Sequence, residues 1–319
     1  MALANFVIQT ELTAIAIAYR NQQLISDMVL PRVPVLSQQF KYSKFNQGDV
    51  FTIPDTKVGR KSGVNQIDWS ATEVADFTRD YGLEDVIPQA DLDNAEAAAK
   101  FFGVKPVDPA ARTTEILTSL VALDREQRVA NLIFGAGNYP AANKATLSGT
   151  GQWSDYANSN PVDAMLAAMD GMIVRPNKVV MGQAVWTKVR QHPKVVNAWY
   201  GNQANAGAVQ RQVLAELLEV DEIIVGQAFY NTAKPGQTAS LSRLWGKHCA
   251  MLYIDPNVKQ TEGMVTFGMT AQWGNKIAGT IDQDPDVGLR GGTKVRVGES
   301  VKEVICASDA GYLFTNAIA

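Results

Sequence analysis

Two histidines and two cysteines are the side chains of this sequence best suited to hold a metal or attack a carbonyl: His192, His248, Cys249 and Cys306. A zinc centre needs several such ligands at short, paired spacings. Neither histidine stands at such a spacing from another His, Cys or carboxylate. A thiolate nucleophile needs an imidazole facing its sulfur. His248 and Cys249 are neighbours at the start of an expected strand, so their side chains point to opposite faces. Asp282, Asp284 and Asp286 fall in the run DQDPD, where Pro285 and the lack of further ligands favour a turn over a calcium loop. GAGNYP (135–140) follows a helical stretch and lacks the third glycine of a dinucleotide fingerprint. The sequence contains no Walker A, GxSxG or HExxH motif. These residues give no catalytic, cofactor-binding or metal site. One further group remains, the basic run Lys57, Arg60 and Lys61 in PDTKVGRKSG, which could meet acidic neighbours or stand solvated in a loop.

The chain as a whole is that of a packed soluble globule. Of its 319 residues 46% are hydrophobic and 19% charged, enough for two domains or one elaborate one. The 29 basic and 32 acidic residues leave a net charge of −3. A dedicated nucleic-acid binder would need a basic surplus, although a wall that only encloses nucleic acid would not. Two cysteines are too few for a disulfide scaffold and point to a reducing compartment, with both thiols buried and inert. The sequence has neither an apolar run approaching the ~20 residues that span a bilayer nor the basic start and apolar core of a signal peptide. An intracellular, soluble chain without a membrane partner is expected.

The elements around these residues are organised by one helix. Asp108 offers an N-cap and Pro109 suits the first helical position. Gly135, followed by Gly137, Asn138 and Pro140, stands where a left-handed terminating residue belongs. Pro109 to Ile133 would span about 37 Å at roughly 1.5 Å per residue. Ile116, Leu117, Leu120, Val121 and Leu123 share one face. DREQR (124–128) then interrupts, and Val129, Leu132 and Ile133 resume on a face turned by roughly 150°. The two halves are expected to pack on different surroundings.

Before this helix, residues 1–30 read as an arm with one amphipathic helix bearing Leu12, Ile15, Ile17, Leu24, Ile25 and Met28, closed by the extended PRVPV. Residues 38–88 carry strand patterns (FKYSKF, DVFTI, NQIDW, with Ile67 and Trp69 on one face) around the basic PDTKVGRKSG turn, and a projecting hairpin is expected. A short polar helix follows at 88–100. After the long helix comes a small-residue loop that Trp153 could pin. From 161 to 273 helices and strands alternate, as in a compact α/β domain with two helices broken at Pro193. TKVRV, KEVICAS and YLFTNAIA, separated by GES and DAG, return as short strands.

This order of parts resembles the tailed-bacteriophage major capsid protein family, whose fold is that of the Hong Kong 97 phage capsid. The stretches that carry the resemblance are LPRVPV (30–35), FTIPDTKVGR (51–60), DYGLEDVIPQADLDNA (80–95), LDREQRVANLIF (123–134) and GTKVRVGESVKEVICASDAGYLFTNAIA (292–319). The resemblance implies an α+β Hong Kong 97-type subunit. It would have an N-terminal arm (1–37), an extended loop (38–88), a peripheral domain with the spine helix (89–160, spine 109–133), an inserted axial domain (161–273) and return strands of the peripheral domain (274–319). It implies a non-enzymatic shell protein that assembles as pentamers and hexamers into an icosahedral capsid around double-stranded DNA, in the virion after assembly in the host bacterial cytoplasm.

The partners so implied are further copies of the chain, a separate scaffold protein, a portal, a decoration protein as an optional addition, and non-specific contact with packaged DNA. Lys57, Arg60, Lys61 and Trp69 are the candidate inter-subunit contacts. Lys57 or Lys61 would also stand in a suitable loop for a lysine–asparagine cross-link, although no neighbouring residue marks an activated site. Two alternatives accompany this reading: an encapsulin-like nanocompartment shell, and an α/β enzyme with its site in 161–273.

Overall fold

The longest pairing in the structure is an antiparallel ribbon near the C-terminus, and the rest of the chain is layered on it or on a second, shorter sheet. The computed structural model describes residues 7–18, 24–45, 53, 55–66, 71–103, 108–201, 207–234, 236–256 and 265–319. In chain order these contain β1 (Val7–Ile8), α1 (Thr10–Ala18), α2 (Ser26–Val29), β2 (Arg32–Val35), β3 (Gln39–Phe45), β4 (Ala71–Phe77) and β5 (Arg79–Pro88). A polar helix (Gln89–Phe102) and the spine helix (Pro109–Ile133) follow, then β6 (Lys144–Thr146). Next come a helix at Pro161–Asp170, β7 (Lys178–Gly182), helices at Gln183–Arg190, Pro193–Tyr200 and Arg211–Leu218, and β8 (Glu222–Gly226). β9 (Phe229–Asn231), β10 (Leu241–Arg243), β11 (Cys249–Leu252), β12 (Gly268–Asp284), β13 (Gly292–Ile305) and β14 (Gly311–Thr315) complete the chain.

The long sheet runs β1-β12-β13-β5, with β2 added parallel to β12. Its ribbon turns at DQDPD, where Asp284 accepts the amide of Asp286 at 3.0 Å and pairs with Lys294 at 2.5 Å. Of the three aspartates expected in a turn, only Asp286 lies in it; Asp282 and Asp284 belong to the end of β12. TKVRV and the KEVI of KEVICAS differ from expectation, because they form one continuous strand that ends at Ile305. Gly298 faces Gly82 on β5, where a Cβ would meet Tyr81 O at 2.9 Å, so the glycine of GES permits close pairing instead of ending the strand.

The second sheet runs β6-β14-β11-β7-β8. Period-2 alternation splits its side chains between two cores. Val179, Met181, Ile223, Val225, Cys249, Met251 and Phe314 face a cluster closed by the four helices between residues 161 and 218. Val180, Ile224, Ala250, Leu252 and Leu313 face the other way, onto Val129, Ala130 and Ile133 of the spine. The sheet is the middle layer between those helices and the spine. Its strands come mainly from 161–273, and β6 and β14 join it from outside that block. Trp153 is buried against this body, its ring 5.2 Å from that of Phe314, and so pins the loop after the spine.

The spine begins as expected, with Asp108 accepting the amide of Ala110 at 2.9 Å and Pro109 in the first turn. Its C-terminus does not use a left-handed glycine: Gly135 has φ −71. The amide of Asn138 and the hydroxyl of Tyr139 instead donate to the carbonyls of Leu132 and Ile133, both at 2.7 Å. Those two side chains satisfy carbonyls that a left-handed turn would otherwise cap. The DREQR run is a second correction. Arg125 and Glu126 are buried and continue the packed stripe from Leu117 and Val121 to Val129, whereas Ile116 and Leu120 are half exposed. The two halves do meet different surroundings. Leu117 joins Leu12, Ala16, Ile87, Ala278, Val295 and Val297, and the second half joins the cluster behind the second sheet. The described residues of the arm hold two helices, and α1 packs on its own chain, with Leu12 and Ala16 buried against the ribbon and spine.

Candidate inter-subunit surfaces

The basic run stands at the end of a hairpin whose root and tip differ sharply. β3 and β4 pair from Gln39↔Phe77 to Phe45↔Ala71. Alternation sends Phe40 and Tyr42 inward, onto Val33, Val35, Met269, Ala271 and Val304. That small cluster ties the root to β2 and the ribbon. Every described residue from 55 to 66 is exposed. Short local bonds shape this tip: Asp55 accepts the amide of Lys57 at 2.9 Å, Ser62 Oγ donates to Gly59 O at 3.1 Å, and Asn65 donates to Asp55 O at 2.7 Å.

The structure brings Lys57, Arg60 and Lys61 together on this tip, beside the exposed Val58 and Val64. None of the ion pairs among the described residues involves these three cations. Trp69 lies outside the described residues.

Sequence reasoning missed a polar network centred on the buried Arg125 and Glu126 and reaching out to the exposed Asp27. Glu126, read as part of an interruption, accepts amides from Ile25 and Ser26 and the indole N–H of Trp245. Arg125 reaches Asp27 and Thr270, and Arg32 bridges Asp27 and Glu299, both at 2.7 Å. Arg128 pairs with Glu303 at 3.2 Å and lies 3.6 Å over the Tyr81 ring. Burial and the nearby Arg32 pull the Arg125 guanidinium below its ordinary range, with Asp27 opposing. Burial would raise the Asp27 carboxyl, but Arg125 and Arg32 outweigh it and hold it below its usual value. The signal in the sequence was a pair of adjacent opposite charges interrupting an apolar helical stripe.

His192, His248 and Cys249 are structural in this arrangement, whereas Cys306, expected to be buried, is only partly so. His192 is fully buried and caps the helix at 193–200, its Nδ1 accepting the amide of Lys194 at 3.2 Å. Nε2 therefore carries the proton and faces Ser159 Oγ at 3.1 Å, while that hydroxyl donates to Asp155 O at 2.6 Å. The imidazole has no lone pair left to take the serine proton, so this is not a nucleophile–base pair. His248 accepts the amide of Asn316 and packs on Phe134, on the spine side of the sheet. Cys249 faces the opposite core, where burial pushes its thiol far up, away from the reactive thiolate. Among the described residues no group of His, Cys, Asp and Glu could hold a metal ion. No helix of the described residues is long and apolar enough to cross a membrane.

A family model described as phage major capsid protein E matches residues 138–283. The major capsid protein of Pseudomonas phage JBD67 is 49% identical over 319 residues, covering 100% of both chains. The chain belongs to the phage major capsid protein family. Its place is the virion capsid, and its role is to form the shell, as a structural protein and not an enzyme. A crystal structure of a phage-related protein from Bordetella bronchiseptica RB50 superposes with a TM-score of 0.74 at 22% identity, covering 98% of each chain. The capsid of Cyanophage P-SCSP1u aligns with a TM-score of 0.57 at 12% identity, over 99% of this chain and 92% of that one. Both likenesses concern the fold: a mixed helix-and-sheet subunit shared with phage capsids.

Proposed function

We propose that this capsid protein is a Hong Kong 97-type subunit that assembles as pentamers and hexamers into an icosahedral shell around double-stranded DNA. The observation that carries the reading is the hairpin, whose root is packed into the subunit while its basic and apolar tip is exposed on every described residue. Surface of that kind gains stability by burial against another copy. Lys57, Arg60, Lys61 and Trp69 are the proposed contacts. Residues 1–37 serve as the arm and 38–88 as the extended loop over a neighbour. Residues 89–160 and 274–319 form the peripheral domain and 161–273 the axial domain, with β14 paired into the axial sheet.

A net charge of −3 lets many copies assemble without strong self-repulsion. It leaves contact with packaged DNA weak, non-specific and salt-sensitive. A scaffold, a portal and a decoration protein complete the proposed set of partners, with assembly in the cytoplasm of the host bacterium. The full-length likeness to a phage capsid protein favours this over an encapsulin-like compartment or an enzyme.

Negative-stain electron microscopy of the purified chain, alone and with its scaffold, tests the reading directly: capsomers or shells are expected, and a monomer under all conditions overturns it. Deleting the tip at 56–63 should leave the circular dichroism spectrum of a folded subunit and abolish shells. A subunit unfolded by that deletion would show that the tip belongs to the core.

A further inference from the structure

Three parts of the subunit converge on one carboxylate. Glu126 is fully buried midway along the second half of the spine. Its oxygens accept Ile25 N–H at 2.9 and 3.1 Å, Ser26 N–H at 2.8 Å and the Trp245 indole N–H at 2.7 Å. Trp245 belongs to the core behind the second sheet and packs so tightly on β8 that a Cβ at Gly226 would meet its ring at 2.1 Å. Arg125, the preceding residue, donates to Asp27 and to Thr270 Oγ1 at 3.0 Å, and reaches Leu30 O at 3.4 Å. The segment so held runs directly into β2, and β2 into the hairpin. Its own apolar anchors are Ile25, Val29 and Leu30.

The chemistry of this arrangement is lopsided. A buried carboxylate with three good donors is well solvated by protein, whereas the same donors without their acceptor are left unpaired in a dry site. Two of the donors are backbone amides of the segment, so the charge acts on that segment.

We propose that Glu126 is a latch. Its negative charge docks residues 25–35 on the spine and thereby fixes the direction from which the hairpin projects. It is a positioning residue for assembly that acts through β2 and β3. The last step rests on the reading of the hairpin tip as an inter-subunit contact, and the docking itself does not.

Hydrogen–deuterium exchange of the full-length chain, read together with shell formation by microscopy, tests the proposal. In Glu126→Gln the amides of 25–35 should exchange about ten- to hundredfold faster, the loss expected for charge-assisted bonds. β7, β8 and β11 should keep their protection, and shell yield should fall. Glu126→Asp keeps the charge and should restore most of the protection. Unchanged exchange at 25–35 in Glu126→Gln overturns the latch, as does simultaneous loss in β7, β8 and β11, which would make Glu126 a general core residue. Native shell yield from a chain whose 25–35 amides are open overturns the positioning of the hairpin while leaving the docking intact. Normal assembly of a Lys57, Arg60 and Lys61 variant would instead count against the tip reading alone. Should Glu126→Gln not fold, the unaltered chain carries the test. Its Ile25 and Ser26 amides must then exchange more slowly than those of β3, and exchange as fast as β3 overturns the latch.

Discussion

The second sheet and the hairpin are built from the same pleated alternation and end in opposite conditions. β7, β8, β11 and β14 bury side chains on both faces, against four helices on one side and the spine on the other. Among its described residues the hairpin buries Phe40 and Tyr42 at its root, with Val74 partly buried beside them, and exposes its tip. A sheet covered on both faces gains enough apolar burial to hold its own shape, at roughly 25 cal/mol per Å². A two-stranded ribbon with one small cluster does not. The difference separates what makes the subunit fold from the surface proposed to meet other subunits.

Four perturbations would break or sharpen that contrast. The largest effect belongs to the body. Trp153→Ala, which removes a fully buried ring packed on Phe314, should cost about 3–5 kcal/mol of global stability, measured by urea unfolding. Val33→Ala, in the part of β2 on which the hairpin root packs, should cost about 1–3 kcal/mol and loosen β3 and β4 in hydrogen exchange before β11. If β11 loosened equally, the two regions would be one cooperative unit and the contrast would fail.

The third perturbation is pH. Burial, with a smaller contribution from Lys194, lowers the pKa of His192 below its ordinary 6.5. A depressed imidazole is held neutral in the fold, so its contribution is complete above the unfolded value and is lost as pH falls through the lower folded one. Tm should therefore decline below about pH 6.5. His192→Asn, which can still cap the helix, should reduce that slope without abolishing it, because burial shifts His248 in the same direction. An unchanged slope would remove His192 from the account.

The smallest stability effect belongs to the tip. Reversing Lys57, Arg60 and Lys61 to Glu should change subunit stability by no more than about 0.5 kcal/mol, because all three are exposed. The same variant should fail to form shells or form them with an altered salt dependence, read by light scattering. A large loss of stability would mean that the tip is bound to its own subunit.

Much of the architecture was legible because it depends on local chemistry. Asp108 and Pro109 announce the start of the spine. Pro193 splits two helices, Pro285 turns the ribbon, and adjacency alone puts His248 and Cys249 on opposite faces. Periodicity failed where burial followed hydrogen bonding and not apolarity. Arg125 and Glu126 are charged and buried, and Ile116 and Leu120 are apolar and half exposed. Candidate contacts could be named from the sequence as a basic turn between strands, but nothing local to Glu126 reveals that its partners lie a hundred residues away in either direction.

The sequence by itself determined the element types, the absence of familiar catalytic motifs, and a charge balance suited to a self-associating subunit. It also set the composition of the exposed turn. Those properties reside in single residues and their near neighbours, where backbone preference and side-chain chemistry act without the rest of the chain. Only the tertiary structure decided that the last strand joins the second sheet, that KVRV and KEVI are one strand, and that two opposite charges on the spine are an internal joint. Each of these requires a partner distant in sequence. A buried charge is tolerable only once folding has delivered the donors that replace water around it.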